Sequence, residues 1–361
     1  MNSILFDNGH TDWKEVRGER GFGSPVGVLL PRFVDELYQD ASSGNYYRST
    51  GLTVNDWVII SGGSSTGVQW GPDASEIILQ SHIEFFDSIF DTPSTTSITF
   101  PNLVTLDDED NGYNFQVNLN YAVVSYSFPE LVEANVDNLD GGGYGSINSW
   151  SSPKLRNVRG SFNLDGNPLT FIDVSSLETV GSGLNLTGDS LLESISYDSL
   201  VSVESFFDMA DSCLNLTSVS APLLETTGDF FVGSCPLISS LVLPSYVSNG
   251  NAIYIFNNDT LASVSLPLLV DSGLYLTVAS NPMLTTLNLP SYVPQDGATI
   301  DLTANALNAT SVNAFLARCV ANLAFVSGSI DLSGGTNSAP TGQGLTDKAT
   351  LEGRGVTVTT N

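Results

Sequence analysis

Histidine occurs only at His10 and His82, so any proton-transfer chemistry would fall mainly to carboxylates and tyrosines. The string Gly63-Ser64-Ser65-Thr66-Gly67 matches the G-x-S-x-G nucleophile elbow. That elbow needs a helix directly behind it and an acid followed by a histidine later in the chain. Neither is present, and the string lies in a Gly/Ser linker. No H-E-x-x-H, phosphate-loop or dinucleotide fingerprint appears. Asp173 and Asp198 lie near comparable corners of a repeat, as the paired acids of a solenoid hydrolase would. They stand among 39 acidic residues, and nothing singles them out. We read the chain as non-enzymatic. The densest acidic run, Leu106 to Gly112, begins like a calcium loop, with Asp107, Asp108 and Asp110 as candidate ligands. Asn118 stands where an EF-hand requires its bidentate Glu, so that motif fails. Calcium is the one cofactor this loop admits, and a solvated turn is the simpler reading.

The chemistry is thin because the chain is devoted to a repeat. A Pro-x-Leu or Pro-x-Tyr corner recurs at Pro101, Pro129, Pro153, Pro222, Pro244, Pro267 and Pro290, with Ser175 and Asp198 standing in between. Successive steps are 28, 24, 22, 23, 24, 22, 23 and 23 residues. Each corner is flanked by short apolar phrases such as LTSVSAP and LASVSLP. Two extended segments per period, joined by turns, describe one coil of a solenoid. The predicted fold is therefore mainly β, with about nine coils of 22–28 residues.

In clean copies the pattern reads L-x-L-x-x-N/C/D-x-x-L-x-x-L-x-L-P-x-L. Leu184, Leu186, Asp189, Leu192, Ile195, Tyr197 and Leu200 form one copy. Ile253, Ile255, Asn258, Leu261, Val264, Leu266 and Leu269 form another. Alternation along a strand turns the leucines inward and the residue between them outward. The sixth position is the small polar residue of a turn, held by Asp189, Cys213, Cys235, Asn258 and Asn281 at intervals of 24, 22, 23 and 23. Pointing inward, these residues form a structural ladder that satisfies backbone groups at the bend. Cys213 and Cys235 are thus buried structural thiols, and with Cys319 they do not make a disulfide framework.

These motifs resemble the leucine-rich-repeat superfamily over residues 95–308, and the added L-x-x-L-x-L-P strand resembles receptor L-domains and bacterial surface leucine-rich proteins. The resemblance implies an architecture and leaves the ligand open.

Composition narrows the partners. Eleven basic residues against 39 acidic ones give a net charge of -28, which repels nucleic acid and anionic membrane surfaces. No run of about 18 apolar residues exists to cross a bilayer. The first thirty residues lack a basic segment followed by an apolar one, so Sec export would need another leader. The N-x-T sequons at Asn185, Asn215, Asn258 and Asn308 then carry no meaning.

Both ends depart from the repeat. Residues 1–61 form an N-terminal attachment module, with strands predicted near 36–38, 46–48 and 56–58; residues 62–94 are linker and first cap. This module resembles one at the front of tailed-phage and prophage virion proteins, through matches that include Pro31, Phe33, Leu37, Tyr38, Tyr47 and Trp57. Residues 309–361 form a C-terminal cap, opening on an amphipathic helix in which Val312, Phe315, Leu316, Cys319, Val320 and Leu323 share a face. The tail resembles the closing segment of leucine-rich proteins encoded by phages and environmental bacteria.

Two outward columns complete the reading. The strand before each corner exposes small residues, from Thr99 and Ser127 to Ser265 and Asn288. The other strand exposes Asn163, Asn185, Phe231, Tyr254 and, if parity holds, Tyr275, with Phe207 of unclear register. Stacked outward aromatics form a covered internal surface, a contact between subunits or a sugar-stacking platform. Function is therefore expected to be that of a virion-associated fibre or adhesin-like protein, virion-borne or extracellular. It would dock to particle proteins by its N-terminus, present a solenoid face to a host-surface glycan or protein, and form a homo-oligomer. A structural filament or capsid or tail decoration protein, and a secreted bacterial adhesin, are the alternatives.

Overall fold

A computed structural model describes backbone and side chains for residues 99–100, 103–106, 115, 124–141, 147–185, 191–208 and 213–361, apart from the Asn249 side chain. Elsewhere it describes only the backbone of short strands. The chain is mainly β, a parallel β-solenoid of about seven turns with few helices. Its principal sheet has 17 strands, and along it the chain steps through Ser202–Asp208, Thr226–Gly233, Ser248–Phe256, Tyr275–Ala279 and Thr299–Asp301 in parallel register. Short strands preceding the corners, such as Ser240–Val242, Ser263–Ser265 and Thr286–Asn288, pair separately in sheets of five, two and three strands.

One column shows why this sequence stacks. Leu184, Phe207, Phe230, Ile253, Leu276, Ile300, Ile330 and Val358 face one another through successive strand pairs. All eight are buried. Each large apolar side chain removed from water contributes about 1.5–3 kcal/mol, so the inward column outweighs any single polar contact in the coil. Phe207 therefore points into the core, and Asp208 holds the outward position next to it.

The core changes character along its length. Near its start it is aromatic: Phe100 and Phe128 stack at 4.7 Å, and Trp150 lies 4.9 Å from Phe128 and 5.5 Å from Phe162. Trp150 Nε1 donates to Ser152 Oγ at 3.0 Å, which settles the one polar atom of that ring. A second aromatic run, Tyr197, Phe207, Phe230 and Tyr246, follows with neighbouring centroids 5.5 to 5.6 Å apart, and the buried Tyr246 and Tyr292 hydroxyls pair with Thr227 and Ser272.

The predicted helix forms as α1 (Ala309–Ala321), capped by Asn308, whose side-chain oxygen accepts from Ser311 N at 2.9 Å. A second helix, α2 (Gln343–Arg354), ends at Gly355 with φ 109°, a left-handed conformation that glycine adopts without strain. Between and after the helices, Ser329–Leu332 and Thr357–Thr360 extend the principal sheet in parallel register. Coiling thus continues past residue 308, with α1 alongside the last corner strand: Ser311 Oγ donates to Thr285 O at 3.1 Å.

Before the solenoid, Leu37–Asp40, Tyr46–Ser49 and Trp57–Ser61 pair antiparallel in sequence, and Glu19–Gly21 joins Leu37–Asp40 in parallel. The predicted meander is present in the backbone. Leu37, Tyr38, Tyr47 and Trp57 lie on these strands, while Pro31 and Phe33 fall outside the described residues.

Candidate functional site

Among the described residues, the outward surface of the principal sheet carries a feature that the core does not explain. Asp208, Phe231, Tyr254, Thr277 and Asp301 occupy one column through successive strand pairs. The Phe231 and Tyr254 rings stack with centroids 4.9 Å apart and planes within 10°. Strand spacing of about 4.8 Å sets that separation, so two rings in register on adjacent coils stack without further adjustment. Their shared faces are thereby covered, and what they offer a partner is their edges and outer faces.

Tyr275 does not continue this column. It pairs with Ala252 and Thr299, two residues earlier along its strand than Thr277, which faces Tyr254. Parity does hold, so Tyr275 shares the outward face but stands in the neighbouring column, about half exposed. That neighbouring column runs Gly183, Phe206, Asp229, Ala252 and Tyr275. A Cβ on Gly183 would meet the Phe206 ring at 2.1 Å, and one on Gly233 would meet the Phe256 ring at 2.6 Å. Each glycine is therefore the seat of an aromatic ring from the next coil. Phe206, Phe231, Tyr254, Phe256 and Tyr275 together make an aromatic face across four successive coils.

Asp229 lies among these rings, with its Oδ1 buried and without a hydrogen-bond partner. Burial first, then the negative potential of Asp229 and of Tyr275, pushes the Tyr254 hydroxyl above its ordinary value. The phenol is therefore held as a neutral donor. The face can stack, donate and accept hydrogen bonds.

The sequence reading missed Phe206, Phe256 and Asp229. The register shifts between Val203 and Phe206, and again between Thr227 and Asp229. Such bulges reset the alternation from which outward positions are counted. Glycine 23 residues before an aromatic, as in Gly183/Phe206 and Gly233/Phe256, was the available signal.

The polar ladder lies inside the turn. Asn258 N donates to Asn281 Oδ1 at 3.1 Å and Asn281 N to Asn305 Oδ1 at 2.9 Å; Cys235 N donates to Asn258 Oδ1 at 3.1 Å. Returning the link, Asn258 Nδ2 donates to Val232 O and Asn281 Nδ2 to Ile255 O, both at 3.1 Å. Each amide thus ties its own coil to the one before. Asn167 and Asn337 do the same at Ile147 N and Leu307 N, and with Asn305 they are rungs the sequence reading did not name. The residue preceding the rung is left-handed at Gly166, Ser234, Asn257, Ser280 and Ala304, with φ between 50° and 65°. Asp189 lies outside the described residues.

Cys213, Cys235 and Cys319 are buried thiols with no disulfide; burial pushes the Cys319 thiol far up. The sequon residue Asn258 is fully buried in the ladder, so its amide is committed to the fold. Asp107, of which only the backbone is described, ends the strand Thr105–Asp107, and Asp108 and Asp110 fall outside the described residues. Among the described residues no group of three or more His, Cys, Asp or Glu converges as a metal site would, and no helix is long and apolar enough to cross a membrane. Compared with known proteins, the chain matches no family model, no curated protein and no solved structure.

Proposed function

We propose that the chain is a non-enzymatic, virion-associated fibre or adhesin-like protein, a leucine-rich-repeat type solenoid of about nine coils closed by a C-terminal cap. Its N-terminal module docks to particle proteins. Its solenoid presents the aromatic face to a glycan or protein of a host surface, and copies of the chain associate. The observation that carries this reading is the stacked Phe231–Tyr254 pair at 4.9 Å, turned away from a core that is already complete. The two rings half-bury one another, and their remaining edges and outer faces leave water when a partner covers them. The virion setting rests on the resemblance of residues 20–61 and of the tail to phage-encoded proteins.

The test is Phe231→Ser combined with Tyr254→Ser, assayed for melting, for mass by light scattering, and for binding to whole cells of candidate hosts. Unchanged folding with weakened binding supports the adhesin. Unchanged cell binding with a lower mass supports the filament or decoration protein, in which the same face packs on a second copy. Genome neighbours separate a virion protein from a secreted bacterial adhesin.

A further inference from the structure

The aromatic face is laid out with acids between its rings. Phe206 and Asp208 lie on one coil, and their partners on the next are Asp229 and Phe231 in that order. Rings therefore hold one diagonal of this block and carboxylates the other, and strand spacing of about 4.8 Å sets each acid beside both rings. Tyr254 and Tyr275 continue the face over the two following coils. Asp229 is half-buried, so its carboxylate still opens on one side, while its Oδ1 is covered and takes no hydrogen bond from any described residue. Covering a charged acceptor without a donor costs free energy, so the fold alone gives no reason for a carboxylate there. No countercharge comes from the face itself. Its four strands, Ser202–Asp208, Thr226–Gly233, Ser248–Phe256 and Tyr275–Ala279, hold Glu204, Asp208 and Asp229 and no Lys, Arg or His. Lys154, Arg156 and Arg159 pair with Glu130, Glu178 and Asp137, and Lys348 pairs with Glu352 on α2.

We infer that this block of two acids and two rings seats a guanidinium, and that the partner is an arginine-bearing segment of a different protein. The inference rests on the reading of the aromatic face as a contact surface and names the chemistry that the surface takes. A guanidinium is planar, so it stacks on a ring and donates to a carboxylate at the same time. It brings Asp229 the countercharge that the chain does not supply. A neutral sugar or an apolar surface would cover the rings and leave that charge unpaired. A second copy of the chain is the wrong partner on charge, because it brings 39 acidic residues against 11 basic ones.

The test uses the full chain and two probes, the blocked peptide Gly-Ser-Arg-Ser-Arg-Ser-Gly and the same peptide with citrulline at both arginines, followed by calorimetric titration. Wild type should bind the arginine peptide and not the citrulline one. Asp229→Asn should weaken that binding about ten-fold, the loss of one charge-assisted pair, and should melt at or above wild type because it removes a covered charge. Asp259, an exposed acid at the turn after Asn258, is the control for general attraction to an acidic protein; Asp259→Asn should change binding less than about two-fold. Equal binding of the two peptides, equal binding by Asp229→Asn and wild type, or a wild type that binds neither peptide overturns the inference. So does an Asp229→Asn protein that melts well below wild type, since the carboxylate would then serve the fold. Host-cell binding separates this inference from the reading beneath it. If Phe231→Ser with Tyr254→Ser abolishes cell binding while Asp229→Asn binds cells as wild type does, the aromatic face stands and the guanidinium falls. If neither variant changes cell binding or mass, both fall.

Discussion

At the scale of single residues, the coil is held at its turn by amides and at its face by rings. Asn281 accepts from one backbone N–H of the preceding coil and donates to a carbonyl of that coil and to Ala279 O. Asn281→Ala leaves these buried groups unpaired, at about 1–3 kcal/mol each, so a loss of about 3 kcal/mol is expected in denaturant unfolding. Cys235→Ala removes a weak thiol donor to Gly233 O and leaves the Cys235 N–H to Asn258 Oδ1 bond in place, so a smaller loss, about 1 kcal/mol, is expected. Equal losses at the two rungs would show that the amide bonds do not carry the turn. Asp296 offers a pH handle. Backbone N–H donation from Val326, then the Ser327 hydroxyl, holds its carboxylate below the ordinary 3.8. Its contribution is therefore complete above that value and disappears as pH falls through the lower folded value. Asp296→Asn should melt below wild type at neutral pH, and the gap should close in acid; a gap constant with pH would contradict this. Asn258 and Asn281 were legible from their spacing, and Asn305, 24 residues on, obeyed the same rule unread. Asn337 was hidden because α1 lengthens its coil.

At the scale of elements, the two faces of one strand should separate cleanly under mutation. Ile255 is fully buried in Ser248–Phe256, so Ile255→Asp places an unpaired charge in the core, at several kcal/mol. That variant should unfold or melt far below wild type, and a wild-type melting curve would mean that the inward register is misassigned. The outward pair belongs to a different class, since a stacked aromatic pair adds about 0.5–1.5 kcal/mol beyond its buried area. The inward column was readable because leucine, isoleucine and phenylalanine recur with the period of the coil. The outward aromatic face was readable at Phe231, Tyr254 and, through parity, Tyr275. Phe206 follows a bulge, where alternation no longer reports which way a side chain points, and Phe256, two residues beyond Tyr254 in the same alternation, went unread. The C-terminal helix was legible from its 3.6-residue apolar period, but the return of Ser329–Leu332 and Thr357–Thr360 to the principal sheet depends on long-range pairing that local pattern does not encode.

At the scale of the whole molecule, the solenoid supplies its own core from neighbouring coils, so stability accumulates coil by coil. The strands of residues 19–61 pair among themselves. Deleting residues 1–61 should therefore leave a folded, β-rich fragment that no longer attaches to its particle. An unfolded fragment, or one that still attaches, would remove the docking role. A net charge of -28 disfavours non-specific contact between copies, and in the proposed reading the rings of the aromatic face are where specific contact is made. The central claim is that this face serves a partner rather than the fold. It is tested most directly by comparing binding of wild type and of the Phe231→Ser, Tyr254→Ser variant across a panel of candidate host cells, with folding matched by melting. The account predicts that wild type binds at least one of them and that the variant, melting within a few degrees of wild type, loses about ten-fold or more of that binding. Equal binding by the two proteins together with an unchanged mass would contradict it, as would a wild type that binds no cell and keeps the same mass in the variant.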